Sequence, residues 1–203
     1  MKIRAGMFLA AILFSSLALA SETVGSVYGK AVTAADIDLS APIDPTIQFD
    51  GRDSAQWQLM RRIMTTFGQP IVERFIREKK IRATRDEITK FKNNFRKRTE
   101  RNVASADESS AADLPDEMAR MFIVTWKTER ELHRVYGGRV IFQQAGPEAL
   151  DARRRLFEDA EKKGDITFAD AGVRHLFYYY ANMSHTFIDE KALERPWFFE
   201  EVQ

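Results

Sequence analysis

Apolar side chains recur at three- and four-residue steps over most of this 203-residue chain, and no other feature limits its fold so strongly. Trp57, Met60, Ile63, Met64 and Phe67 form one such run. An α-helix, at about 3.6 residues per turn, is the regular structure that gathers them on one face. Ile71, Val72, Phe75 and Ile76 form a second run, after Gly68 and Pro70, where the pattern predicts a break or kink. Thr84 starts a third: Glu87 completes a capping box, and Ile88, Phe91 and Phe95 follow at helical spacing. Pro115 opens a long stripe with Met118, Met121, Phe122, Trp126 and Leu132, which Gly137-Gly138 ends. Helices are also expected from Pro147 to Gly164 and from roughly Ala169 to Asn182, with a short helical turn before "RPWFF". The fold class this predicts is mainly α.

The one exception lies near the start. Lys2 and Arg4 precede an apolar run, Met7 to Leu17, and Ala18-Leu19-Ala20 forms a small-x-small site. Residues 1–20 thus read as a signal peptide, with a mature start at Ser21. The run is shorter than the roughly 20 residues a bilayer crossing needs, so no transmembrane span is expected after cleavage. From Val24 to Thr33 the residues read as a β-hairpin, with Val24, Val27 and Val32 in strands and Gly29 at the turn. Thr33 is placed to cap a helix, with Asp36 in the capping-box position. Residues 38–53 read as a loop.

The chain contains no Cys. Disulfide scaffolds, thiol catalysis and Cys-based metal sites are therefore excluded, and an exported chain of this size must be held by packing alone. Charge is segregated. Ser54 to Asn102 holds fourteen basic residues against five acidic, while the segments before and after are net acidic. Such a block could meet an anionic surface, but basic helices facing acidic parts of the same chain account for it, and no nucleic-acid partner is expected. The small, polar run Val103 to Leu114 reads as a flexible connector. The expected organisation is therefore signal peptide 1–20, a helical module with hairpin 21–102, connector 103–114 and a helical C-terminal part 115–203 that packs on the first.

Two stretches carry a resemblance. "SVYGKAVTAADI" and "PIVERFIREKKIRATRDEITKF" are similar, in order and separation, to the N-terminal chaperone domain of the SurA/PrsA/PpiD type of exported foldase. The resemblance covers Val24 to about Phe95. It implies a SurA N-like helical domain, a periplasmic address and binding of unfolded or extended polypeptide. Members with peptidyl-prolyl isomerase activity carry a parvulin domain. Here Tyr136 to Asp170 echoes only the second half of one, while Asp116 to Tyr136 is helical in pattern where a strand would be required. No catalytic residue is assigned, and no recognisable parvulin domain is present.

Candidate sites follow from side-chain chemistry. An adaptable apolar groove for clients would draw on Met60, Met64, Phe67, Met118, Met121 and Phe122. The basic stripe from Arg96 to Arg101 would steer acidic clients. The stretch "YGGRVIFQQAGPEAL" offers a pocket of Arg139, Gln143, Gln144 and Glu148, or merely a helix end, a buried strand and a Pro-started helix. His133, His175 and His185 lack metal-ligand spacing, acid pairs such as Asp159/Glu161 read as solvated charge, and Tyr178, Tyr179 and Trp197 read as core or, if exposed together, as a client- or partner-binding surface. Neither a metal nor a cofactor is expected. Three readings stay open: a chaperone-like binder acting without ATP, a divergent isomerase or hydrolase with a site near 137–148, and a scaffold for one envelope partner.

Overall fold

The computed structural model describes residues 22–44, 46, 54–103, 114–143, 146–196 and 198, the side chains of 98–103 excepted. The signal-like segment 1–20, connector residues 104–113, Gln144, Trp197 and the basic side chains at 98 and 101 lie outside the described residues. Helices dominate: α1 Ser54–Ile63, α2 Gln69–Glu78, α3 Arg85–Val103, α4 Asp116–Tyr136, α5 Leu150–Lys162 and α6 Ala171–Asn182. Among the described residues six short strands, β1 Thr23–Val27, β2 Lys30–Thr33, β3 Val140–Gln143, β4 Gly146–Glu148, β5 Ile166–Phe168 and β6 Phe187–Ile188, form two antiparallel sheets ordered β2-β1-β5 and β4-β3-β6. None of the described helices is long and apolar enough to cross a membrane.

The described chain divides into two compact units. One comprises the residues up to Arg74 with Phe157–Met183, the other Phe75–Leu156 with the residues from Ser184 onward. This differs from the expected division at 103–114, for a physical reason: β5 and α6 return to the first unit, where β5 pairs with β1 and α6 packs on α1.

In the first unit the N-terminal hairpin turns at Tyr28, φ 49°, and Gly29, φ 75°. Positive φ at both central residues is the type I′ geometry that suits the right-handed twist of paired strands. The expected hairpin is therefore present, but it is two strands of three. β5 pairs with the other side of β1, Val27 opposite Ile166 and Gly25 opposite Phe168. Gly25 is required there, because a Cβ would stand 2.2 Å from the Thr167 carbonyl oxygen and 2.9 Å from the Phe67 ring. The Thr33 capping box forms as expected: its amide and its hydroxyl each donate to Asp36 Oδ2 at 2.8 Å. It leads, however, into a single 3-10 turn, Ala35–Ile37, which ends at Asp38 with φ 52°.

The predicted break at Gly68 and Pro70 is instead a π turn, Met64–Gly68, in which the Gln69 amide donates to the Met64 carbonyl five residues back. The burial pattern explains why it is needed. Ile63, Phe67, Ile71 and Phe75 are all buried, and each four-residue step overshoots a helical turn by about 40°. Three such steps drift by about 120°, and the one-residue surplus of a π turn takes back about 100°. Phe67 closes this core against Phe168, with ring centroids 4.8 Å apart, and against Phe177 at 6.3 Å.

In the second unit α3 and α4 pack through Ile88, Phe91, Ala119, Ile123 and Trp126, joined by Phe198. The Trp126 indole donates to the Leu193 carbonyl at 2.8 Å. The Thr84 box forms, and Glu87 also receives Lys127 from α4. Burial pushes the Glu87 carboxyl up, but Lys127 and Thr84 together hold it below its ordinary value. Pro147 does not start a helix. It lies in β4, an edge strand, where its missing N–H costs no ladder bond.

Candidate functional site

The first sheet leaves one strand edge open. Among the described residues no strand pairs with the outer side of β2. The two-residue turn closes on the pair Val27 and Lys30, and Ser26 faces Ala31 next. In the alternation of an antiparallel ladder, Ala31 is then the residue whose N–H and C=O are aimed at the free side. Lys30 and Ala31 are exposed, whereas Val32 is buried.

Beside this edge is an open, mainly apolar cleft of about 550 Å³, lined by Val27, Tyr28, Ala31 and Val32 of the hairpin and by Thr66 and Pro70. Tyr28 is held at its mouth. Its amide donates to the Asp165 carbonyl at 2.6 Å, and the Arg74 guanidinium, 3.4 Å from Asp165, lies over its ring. A second, polar cleft of about 470 Å³ shares Asp36 and Thr66 with the first and adds Gln58, Arg61, Arg62 and Thr65. The amide and hydroxyl of Thr33 hold the Asp36 carboxyl below its usual range, so its charge is committed to the cap. Arg62 donates to the Ile37 carbonyl at 3.0 Å and lies 3.6 Å from Asp38. Arg61 is exposed and forms no ion pair among the described residues.

The expected groove is placed differently. Met60 and Phe67 are buried in the core of the first unit, Phe67 completely, and Met64 is half-buried in the π turn. The short helical steps that made them candidates are the steps that bury them. On α4, Met118 and Met121 are exposed, and Phe122 is half-buried with its ring stacked 5.7 Å from Phe91.

Within 137–148, β3 and β4 pair antiparallel, with Ile141 opposite Glu148 and Phe142 opposite Pro147. Arg139 grips Asp151 with its Nε at 2.8 Å, its Nη2 at 3.0 Å and its backbone amide at 2.9 Å. Those bonds, opposed by partial burial, hold the Asp151 carboxyl low. Gly138 adopts φ 103°, and a Cβ there would stand 2.5 Å from Asp151. Gln143 is exposed at the end of β3, and Glu148 is half-buried 3.5 Å from Arg153. Beneath them Glu129 of α4, fully buried, accepts from the Ala149 amide at 2.9 Å and from Arg153. Arg139, Glu148 and Glu129 are thus each engaged by a neighbouring group.

Other candidates resolve similarly. Glu161, read as solvated, accepts from Arg174 at 2.7 Å and from the Tyr178 hydroxyl at 2.9 Å. Burial pushes its carboxyl up, and these bonds outweigh the push and hold it below its ordinary value; burial and Glu161 together raise the Tyr178 hydroxyl. His133 Nε2 lies 3.0 Å from the Gly138 carbonyl and 3.3 Å from Glu190. Among the described residues no group of three or more His, Asp or Glu is placed to hold a metal ion.

The open edge and its cleft are not legible in "SVYGKAVTAADI" itself, because Thr66 and Pro70 enter the site from a helix some 35 residues away. No family model, no curated protein and no solved structure matches the chain.

Proposed function

We propose that this chain is an exported, periplasmic, chaperone-like protein that binds unfolded or extended polypeptide without ATP, and that the β2 edge and its apolar cleft are the seat. The observation that carries this reading is the outer edge of β2, which no strand among the described residues pairs, beside a cleft lined by Val27, Val32 and Pro70. An extended segment adds to such an edge through main-chain bonds, which ask nothing of its sequence, while the cleft takes an apolar side chain. The edge is four residues long. With about 1 kcal/mol net per hydrogen bond, it holds a client weakly and lets it go without an energy source. The resemblance of the opening residues to SurA-type chaperone domains points the same way.

The test pairs wild type with Ala31→Pro, which removes the outward N–H at an exposed edge position. Wild type at near-stoichiometric ratio should suppress aggregation of a denatured client. Ala31→Pro should lose at least about 1 kcal/mol of that binding, with an unchanged circular-dichroism spectrum and melting point. Equal protection by both proteins would remove the β2 edge from the function. Acceleration of proline isomerisation in a parallel assay would replace the binding reading with an enzymatic one.

A further inference from the structure

The two clefts share Asp36 and Thr66 in their lining and differ in chemistry, the first more apolar and the second carrying Arg61 and Arg62. One wall passes from Val27 through Val32 to Asp36, and the other from Pro70 through Thr66 to Arg61. Resting on the peptide-binding reading above, we propose that the preferred segment is an acidic one: a carboxylate side chain meets Arg61, and an apolar side chain about four residues away seats against Val32 and Pro70.

Charge complementarity carries the argument. Arg61 has no ion-pair partner among the described residues, whereas Arg62 is already turned to Asp38 and the Ile37 carbonyl. Lys30 adds a further positive charge at the mouth of the apolar part. Asp36 is the only carboxylate among the described lining residues and opposes an anionic guest, but it is held by two bonds from Thr33. Geometry supplies the spacing. Arg61 and Pro70 are nine residues apart along one helical run, of which the π turn absorbs about one, so about 12 Å separates them at 1.5 Å per residue. An extended chain advances about 3.3 Å per residue, so about four residues bridge them. Residues i and i+4 of an extended segment point to the same side, as a single cleft floor requires.

Fluorescence anisotropy of labelled hexapeptides tests this. One carries Glu four residues from a Leu, a second Gln in place of Glu, and a third the Glu displaced by one residue. On wild type at low salt the first peptide should bind about three- to five-fold more tightly than the other two, the range expected of one partly solvated charge pair. On Arg61→Gln, whose exposed side chain leaves the fold intact by circular dichroism, that margin should close. Equal binding of all three peptides to wild type, or a Glu preference that survives Arg61→Gln, overturns the proposal and leaves the edge-binding reading standing. Binding of none of them overturns both.

Discussion

The two hairpins have the same topology and opposite fates. Each takes a third strand from far along the chain onto its first strand, β5 onto β1 and β6 onto β3, and each thereby leaves its second strand at a sheet edge. Ala31 and Pro147 occupy equivalent places, one residue past the pair that closes the turn. At Pro147 there is no N–H to offer, the residue is buried, and β4 packs on α4, with Glu129 receiving the amide that follows the strand. At Ala31 the N–H is present, the residue is exposed, and a cleft lies alongside. An edge strand is a liability unless it is blunted or used. The second hairpin is blunted, and the first is left open.

The contrast breaks most severely at Glu129. Glu129→Ala leaves the Ala149 amide without its acceptor and takes from the half-buried Arg153 one of its two carboxylates, Glu148 remaining, so urea unfolding should show a loss of about 3 kcal/mol; a loss below about 1 kcal/mol would mean that β4 is not held in this way. Gly25→Ala should cost about 3 kcal/mol, because the new methyl meets the Thr167 carbonyl, which cannot move without parting β5 from β1. Hydrogen exchange should then show early loss of protection at Thr167, and retained protection there would contradict the account of the sheet.

A smaller effect sharpens the comparison at the helices that carry β5. Glu161→Gln should cost about 1 kcal/mol at neutral pH, reduced by the solvent around Arg174. Because the folded carboxyl is held below its ordinary 4.5, its contribution is complete above that pH and is lost as the pH falls through the depressed folded value. The stability gap between wild type and Glu161→Gln should therefore narrow from pH 5 downward. A gap that is constant down to pH 3 would show that the charge is not what Glu161 supplies.

What could be read in advance was what depends on near neighbours. The boxes at Thr33 and Thr84, the turn at Gly29, the helix end at Gly137 and the helical stripes all rest on residues within a few positions of one another. What could not be read depends on distant partners. Strands of three and two residues, such as β5 and β6, are too short to show alternation, and their places are given by β1 and β3. In sequence Pro147 resembles a helix start, because a proline at a helix start and one on a strand edge are excused by the same missing N–H. Glu161 looked solvated because Arg174 and Tyr178 reach it from the next helix. The cleft was invisible for the same reason, since its walls meet only after folding.

The π turn at Met64–Gly68 also has a meaning for the chain's history of change. It acts as a phase offset: every residue after Gly68 is written one step out of phase with those before Met64. Deleting a single residue there would remove the surplus and the offset together, so a regular helix would follow with Ile71 and Phe75 still in their places, whereas straightening the turn at constant length would rotate both by about 100°.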